Sequence, residues 1–159
     1  MFLLVPLLIL VLAITAFALL GYGGGRIADW LAHRARFPTA LRGSAALAGA
    51  AAAAMYAWGL LGVGGAVLEA EDGGANSAPL PPCRGNEQAA HVIDYSVSFL
   101  PLSFDCELTD GGSYSAGTIP GYVNPAAVGL ALAAVGCAVS SAYVTELRLR
   151  AEARKGEDR

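Results

Sequence analysis

Three long stretches of this chain carry no charged side chain, and polar stretches separate them. The apolar stretches are residues 1–21, 44–68 and 124–145. Because a helix crosses the hydrocarbon core of a bilayer with about 20 mostly apolar residues, each stretch predicts one transmembrane helix. The fold class that follows is an all-α membrane protein with three transmembrane helices. An Asn-Pro pair opens the third stretch and supplies a helix cap followed by proline at the first helical position.

The first polar stretch, residues 22–43, predicts a connection with a short helix at the membrane interface. Ile27 and Trp30 share one helical face, as an interfacial helix requires. The three glycines that start at Gly23 predict a hinge ahead of this helix, and Pro38 predicts its end.

The long polar stretch, residues 69–123, predicts a small β-element. In its sequence SFDCELTDGGSY, apolar Phe104, Cys106 and Leu108 alternate with polar residues, and an Asp-Gly-Gly turn follows. Such alternation predicts a strand with one buried face, and the turn predicts a β-hairpin over about residues 102–119. Another alternating stretch ahead of the hairpin predicts a ribbon of two or three strands.

The same polar stretch contains two of the three cysteines, Cys83 and Cys106. If this stretch lies outside the cytoplasm, as the distribution of charged residues predicts, the two cysteines favour one disulfide, because that compartment is oxidising. Closing a loop of this length stabilises the fold by about 3 kcal/mol in the chain-entropy model. The third cysteine, Cys137, lies inside the third apolar stretch and is predicted to be a small packing residue.

Charged residues make up only 14% of the chain, and their distribution predicts its orientation. Basic residues concentrate in residues 22–43 and in the tail, residues 146–159, whereas residues 69–123 carry one arginine and eight acids. Since basic loops remain in the cytoplasm, we expect the N-terminus outside, the C-terminus in the cytoplasm and the β-hairpin outside. The alternative is a signal peptide cleaved after Ala16-Phe17-Ala18, which would place both loops against this rule.

The three apolar stretches contain no acidic, basic or histidine side chain. Because such side chains mark proton paths and ion sites, their absence counts against a pump, a coupled transporter or an intramembrane protease. Small residues instead recur at every fourth position of the third stretch, which allows another helix to approach closely. This helix-packing face contacts either the chain's own helices or another membrane protein, including a second copy. Its members are Gly129, Ala133, Cys137 and Ser141.

Aromatic and large apolar residues give two further expectations. The hydroxyl of Tyr56, near the middle of the second apolar stretch, needs a hydrogen-bond partner, and Ser140 or Ser141 is the candidate. Four side chains around the predicted hairpin either pack on the helix ends or form a surface for a partner. They are Phe99, Leu102, Phe104 and Tyr114.

Candidate catalytic and metal-binding residues are sparse. His91 and Asp94 stand three apart, but a metal site usually needs at least three suitable ligands. We find no nucleophile motif, phosphate-binding loop or nucleic-acid motif, so we expect no catalytic residue, metal, cofactor or nucleic-acid partner. The expected function is a non-enzymatic accessory or interaction subunit that presents the disulfide-stabilised outer loop. The alternatives are a cell-surface sensor or a module that binds a ligand or cation, and then an enzyme centred on His91 and Asp94.

In its general layout, the chain is similar to small integral membrane proteins of high-GC bacteria such as actinobacteria. The resemblance rests on three apolar spans, an arginine-biased inner face and the outer-loop sequences PPC, SFDCELTDGG and IPGYVNP. It implies a multi-pass protein of the bacterial cell membrane, with the lipid bilayer as its surroundings. It implies no activity and no functional residues.

Overall fold

Three α-helices, each long and apolar enough to cross a membrane, dominate the residues that the structure describes. The computed structural model describes residues 4–33, 37–72 and 80–157. Helix α1 spans Leu4–His33, α2 spans Phe37–Asp72 and α3 spans Val123–Glu157. Helices α2 and α3 contain the second and third apolar stretches and extend beyond them, and α1 contains the described part of the first stretch, from Leu4, and extends beyond it to His33.

The predicted hinge and separate interfacial helix are wrong, because α1 continues through the three glycines to His33. Tertiary packing explains the continuity. A Cβ on Gly23 would lie 2.9 Å from Cγ of Leu47 and 3.0 Å from the carbonyl oxygen of Gly43, so this glycine allows α1 to approach α2 closely. Pro38 does not end an interfacial helix; it lies in the first turn of α2, where a missing N–H costs no helical hydrogen bond.

Between α2 and α3 the chain forms a three-stranded antiparallel sheet in the order β1-β2-β3. Strand β1 spans Val92–Phe99, β2 spans Leu102–Leu108 and β3 spans Ser113–Ser115. Two short 3₁₀ helices, Pro81–Cys83 and Glu87–His91, precede the sheet. The small β-element is therefore confirmed, with three strands.

The last strand is shorter than the predicted hairpin, which extended to residue 119. After β3 the chain turns to α2, where the carbonyl oxygen of Thr118 lies 3.1 Å from the position of a Cβ on Gly62. Contact with the helix therefore replaces further strand pairing at this point.

The chain divides into two compact units, and each of the three helices contributes to both. The first, which we call the sheet unit, comprises Met1–Val11 and Met55–Ala126. The second, which we call the helical unit, comprises Leu12–Ala54 and Ala127–Arg159.

The core of the sheet unit is built on the inward face of β2. Its alternation is confirmed, since Leu102, Phe104, Cys106 and Leu108 are all buried. The predicted disulfide between Cys83 and Cys106 is also confirmed, and it ties the first 3₁₀ helix to β2. Both cysteines pack with Phe104 in one buried cluster.

Two polar side chains of the helices hold the β1–β2 hairpin within the sheet unit. The Asn124 side chain accepts a hydrogen bond from the Leu102 N–H at 3.0 Å and donates one to its carbonyl at 2.9 Å. The Tyr56 hydroxyl donates to the carbonyl of Phe99 at 2.6 Å. The expected bond from Tyr56 to Ser140 or Ser141 is therefore wrong, because the hairpin supplies the acceptor.

The helical unit packs through small side chains. Ala46 and Ala50 are buried, and Gly43 lies so close to α1 that an added Cβ would come within 2.9 Å of Ile27. Its one buried polar residue, among the described residues, is Ser141. Ser141 accepts a hydrogen bond from the guanidinium of Arg42 at 3.0 Å.

Candidate functional site

An apolar cavity of about 450 Å³ lies in the sheet unit. Its walls come from the first turns of α1, the last turns of α2 and one face of β1. Cavities of several hundred cubic ångströms, lined by apolar residues with few polar groups, are typical of small-molecule sites. Residues that line it include Leu4, Val5 and Ile9 of α1, Leu61 and Leu68 of α2, and Val97 and Phe99 of β1.

The room in this cavity comes partly from two consecutive glycines of α2, Gly64 and Gly65. A Cβ added to Gly65 would meet no described heavy atom within 4 Å, and one on Gly64 would make only an ordinary contact, at 3.4 Å, with Val5. Larger side chains at these positions would project into space that is open in the structure. The glycines therefore keep the cavity open rather than bring two backbones together.

Glu71 is the only charged residue among the described residues that line the cavity. The Tyr95 hydroxyl donates to its Oε1 atom at 3.4 Å. Burial raises the pKa of Tyr95, and the negative charges of Glu71 and Asp94 raise it further. The phenol therefore stays neutral at physiological pH and keeps donating to the carboxylate.

The strand and its neighbours explain why these two residues meet. In β1, Tyr95, Val97 and Phe99 lie two residues apart and so share one face of the sheet, as side chains of a strand do. The Tyr95 ring stacks on Phe104 of β2, with ring centroids 5.1 Å apart. This stacking holds the hydroxyl beside Glu71, near the end of α2.

The electrostatic surroundings of the cavity are acidic. Residues 69–123 carry eight acids and one arginine, and most of these acids belong to the described part of the sheet unit. A surface with one dominant sign of charge concentrates ions of the opposite sign near it. The cavity therefore favours a positively charged polar group over a negatively charged one.

The four residues expected to form a partner surface have different positions. Leu102 and Phe104 are only 2% and 1% exposed, so they belong to the core and are not open to a partner. Phe99 is half-buried and lines the cavity. Tyr114 is half-buried too, and its hydroxyl donates to the carbonyl of Cys83 at 2.6 Å. Packing within the unit thus accounts for Leu102, Phe104 and Tyr114.

The residues of the predicted helix-packing face of α3 also differ in their burial. Ser141 is buried and bonded to Arg42, whereas Ala133 is exposed and Cys137 is a half-buried free cysteine. A Cβ on Gly129 would meet no described heavy atom within 4 Å. One end of the face therefore packs within the chain, and the other is open.

His91 and Asp94 are both exposed, at the start of the sheet. The carbonyl of His91 accepts the backbone N–H of Thr109 at 3.0 Å, and the Asp94 carboxylate accepts that of Tyr95 at 2.8 Å. Within residues 4–33, 37–72 and 80–157, no group of three or more His, Cys, Asp or Glu residues is placed to hold a metal ion.

Sequence reasoning missed the pairing of Glu71 with Tyr95. Glu71 belongs to the polar stretch 69–123, which lies outside the predicted transmembrane helices, although α2 includes it. The available signals were the double glycine in an apolar span and a tyrosine on the apolar face of a strand. Neither signal indicates which side chains meet, because residues 24 positions apart are brought together by the fold.

The chain matches no known protein family, and no curated protein and no solved structure is detectably similar to it. The features that indicate a function are therefore the cavity, its polar groups and the surrounding charge.

Proposed function

We propose that this chain is an integral protein of a bacterial cell membrane, with the sheet unit outside and the C-terminal end of α3 in the cytoplasm. Three helices of suitable length and hydropathy support insertion. The excess of basic residues in residues 22–43 and 146–159, against the acidic residues 69–123, supports the orientation. The disulfide between Cys83 and Cys106 is consistent with an oxidising compartment around the sheet unit.

We propose further that the sheet unit is a non-enzymatic binding module for an amphipathic molecule with a cationic head. The observation that carries this proposal is the apolar cavity with one carboxylate, Glu71, at its wall. An apolar tail would take up space beside Leu61 and Val97, and an ammonium group would meet Glu71. The acidic outer residues favour the same sign of charge.

The ligand chemistry can be tested with three probes of equal chain length: octylammonium, octanol and octanoate. Thermal unfolding of the purified, detergent-solubilised protein is measured with each. We expect octylammonium to raise the melting temperature most and octanoate least, because only the first pairs with Glu71. Equal shifts with all three probes would show that the carboxylate does not select the ligand.

Two substitutions locate the binding in the cavity. Gly65→Leu fills open space and should abolish the shift, whereas Glu71→Gln should keep a shift but remove the preference for the cation. Gly21→Leu is the matched control, since a Cβ at Gly21 also meets no described atom within 4 Å and Gly21 does not line the cavity. A full shift in Gly65→Leu would refute the site.

The second candidate function is an accessory subunit that binds another membrane protein, or a second copy of this chain, through α3. The specific observation in its favour is the open end of the helix-packing face, where Ala133 is exposed and Gly129 has open space beside it. Small residues that are not covered by a chain's own helices suit close approach of another helix.

This candidate is tested by extracting the tagged protein in mild detergent and determining the mass and composition of the complex. A stoichiometric second component that disappears in Gly129→Leu with Ala133→Leu would support the accessory role. Gly24→Leu is the control, because Gly24 also has no described neighbour within 4 Å. A lone monomer, or a complex that the double substitution leaves intact, would count against it.

A further inference from the structure

A second cavity, which we call the arginine groove, lies in the helical unit. It has a volume of about 540 Å³ and is bordered by all three helices. Small or apolar side chains form most of its wall, including Leu19, Gly49 and Ala138. Arg42 and Tyr22 contribute the main polar groups among the described lining residues.

The guanidinium of Arg42 is held in place without being neutralised. Its Nε donates to the Ser141 hydroxyl at 3.0 Å and its Nη2 to the Thr145 hydroxyl at 3.4 Å. These hydroxyls use their own hydrogens elsewhere, since Ser141 donates to the carbonyl of Pro38 and Thr145 to that of Ser141. Both act as neutral acceptors toward Arg42, so its positive charge and its remaining N–H groups are available to an anion.

A second guanidinium lies next to Tyr22, a residue of the groove wall. That of Arg26 stands over the ring of Tyr22, with its Cζ atom 5.2 Å from the ring centroid. The Cβ of Arg26 is also 3.2 Å from the position of a Cβ on Gly43, the neighbour of Arg42 in sequence. Among the described residues, neither Arg26 nor Arg42 forms an ion pair.

Two arginines that form no ion pair with any described residue, next to an apolar groove, fit an anionic phospholipid better than any other occupant. A fixed arginine and a flanking one suit a phosphate group, which accepts several charge-assisted hydrogen bonds. The groove continues from them along apolar walls within helices that can span a membrane, as an acyl chain requires. Basic pockets between membrane helices on the cytoplasmic side are the kind of surface that binds acidic lipid headgroups.

We propose that the arginine groove binds an anionic phospholipid, with its phosphate at Arg42 and Arg26 and one acyl chain along the groove. The binding anchors the helical unit to acidic lipid of the inner leaflet. It requires that the protein be inserted in the membrane, but it is independent of the cation-binding role of the sheet unit.

Native mass spectrometry of the purified full chain tests the proposal with phosphatidylglycerol, phosphatidylcholine of the same acyl chains, and inorganic phosphate as probes. We expect phosphatidylglycerol to be retained about fivefold or more over phosphatidylcholine, and Arg42→Gln to remove that preference. Arg148→Gln, which changes an exposed arginine of α3, is the control and should retain it. Equal retention of both lipids, or an unchanged preference in Arg42→Gln, would overturn the proposal.

Two further variants keep the test decisive if Arg42→Gln does not fold. Arg26→Gln should lower the preference for phosphatidylglycerol, whereas Ala138→Leu, which occupies the groove, should lower retention of both lipids. Wild-type retention in both variants would refute the groove as the site. Complete displacement of phosphatidylglycerol by millimolar inorganic phosphate would show a site for free anions and would also overturn the lipid assignment.

Discussion

The sheet unit and the helical unit use the same three helices but pack them differently. Of the largest fully buried side chains among the described residues, all but Ser141 belong to the sheet unit. They are Phe104, Leu60, Leu102, Val63, Val123, Cys83 and Cys106. In the helical unit the buried apolar side chains include Ala16, Ala46, Ala50 and Ala127, and side chains of the facing helix pack directly against Gly23 and Gly43.

The difference follows from what each unit has to pack. In the sheet unit a short sheet with one apolar face packs on the helix ends. Large buried side chains and a disulfide stabilise this packing. In the helical unit, small residues such as Gly23 and Gly43 let long apolar helices approach closely, the usual solution inside a bilayer. The polar interactions differ as well, since a carboxylate lines the cavity of one unit and an arginine the groove of the other.

The largest expected effect is the loss of a large core side chain from the sheet unit. Phe104→Ala should lower the free energy of unfolding by about 3–5 kcal/mol, because Phe104 is almost fully buried between the disulfide and Tyr95. Denaturant unfolding of the purified protein measures this. Leu132→Ala is the control, since Leu132 in the helical unit is 67% exposed. If both variants lost the same free energy of unfolding, large buried side chains would not distinguish the sheet unit from the helical unit.

Removal of the disulfide ranks next. Cys83→Ser with Cys106→Ser should cost about 3 kcal/mol, since the bridge closes a loop with a sequence separation of 23. Reducing agent should destabilise the wild type to a similar extent and leave the double variant unaffected. Cys137→Ser, which changes the free cysteine of the helical unit, should change stability little. Unaltered stability on reduction would contradict the importance of the bridge.

A smaller effect is expected where α2 meets the hairpin. A Cβ on Gly59 would lie 2.6 Å from Cδ2 of Leu102 and 2.8 Å from Cγ1 of Val123, both buried. Gly59→Ala should therefore cost about 1–3 kcal/mol through overpacking. Gly65→Ala, on the same helix with open space beside it, should not destabilise the protein. Similar melting temperatures for the two variants would contradict the close packing.

The smallest effect concerns pH. Because the pKa of Tyr95 is raised in the folded protein, its contribution to stability is complete below its ordinary value and is lost as the pH rises through the raised value. Stability of the wild type should therefore fall as the pH rises from about 10, the ordinary pKa of a tyrosine, through the raised value. Tyr95→Phe should show a smaller fall over the same range. If the stability of Tyr95→Phe fell more steeply with pH than that of the wild type, the pKa of Tyr95 would not be raised in the folded protein.

The pattern of apolar and polar residues predicted individual strands and helices. Features that depend on contacts between helices were not predicted. The alternation around Phe104 and Cys106 predicted a strand with one buried face, and the two cysteines predicted the disulfide. The continuous α1 was not predicted, because glycine is a weak helix former and its contact with Leu47 is not visible in the sequence.

The candidate sites were less predictable than the fold. Tyr56 bonds to the hairpin, and Glu71 meets Tyr95, only because a sheet folds against the helix ends. Likewise the sequence marks Arg42 as one basic loop residue among several. Its two hydroxyl partners lie about a hundred positions away on α3, a distance that no local pattern spans.

The central claim is that the protein lies in the membrane with its disulfide-linked sheet unit outside. Labelling of intact cells with a membrane-impermeant maleimide tests it directly, in a Cys137→Ser background that leaves only Cys83 and Cys106. The account predicts no labelling before treatment with an impermeant reductant and strong labelling after it. Labelling only after the cells are opened would place the sheet unit in the cytoplasm and would contradict the proposed orientation.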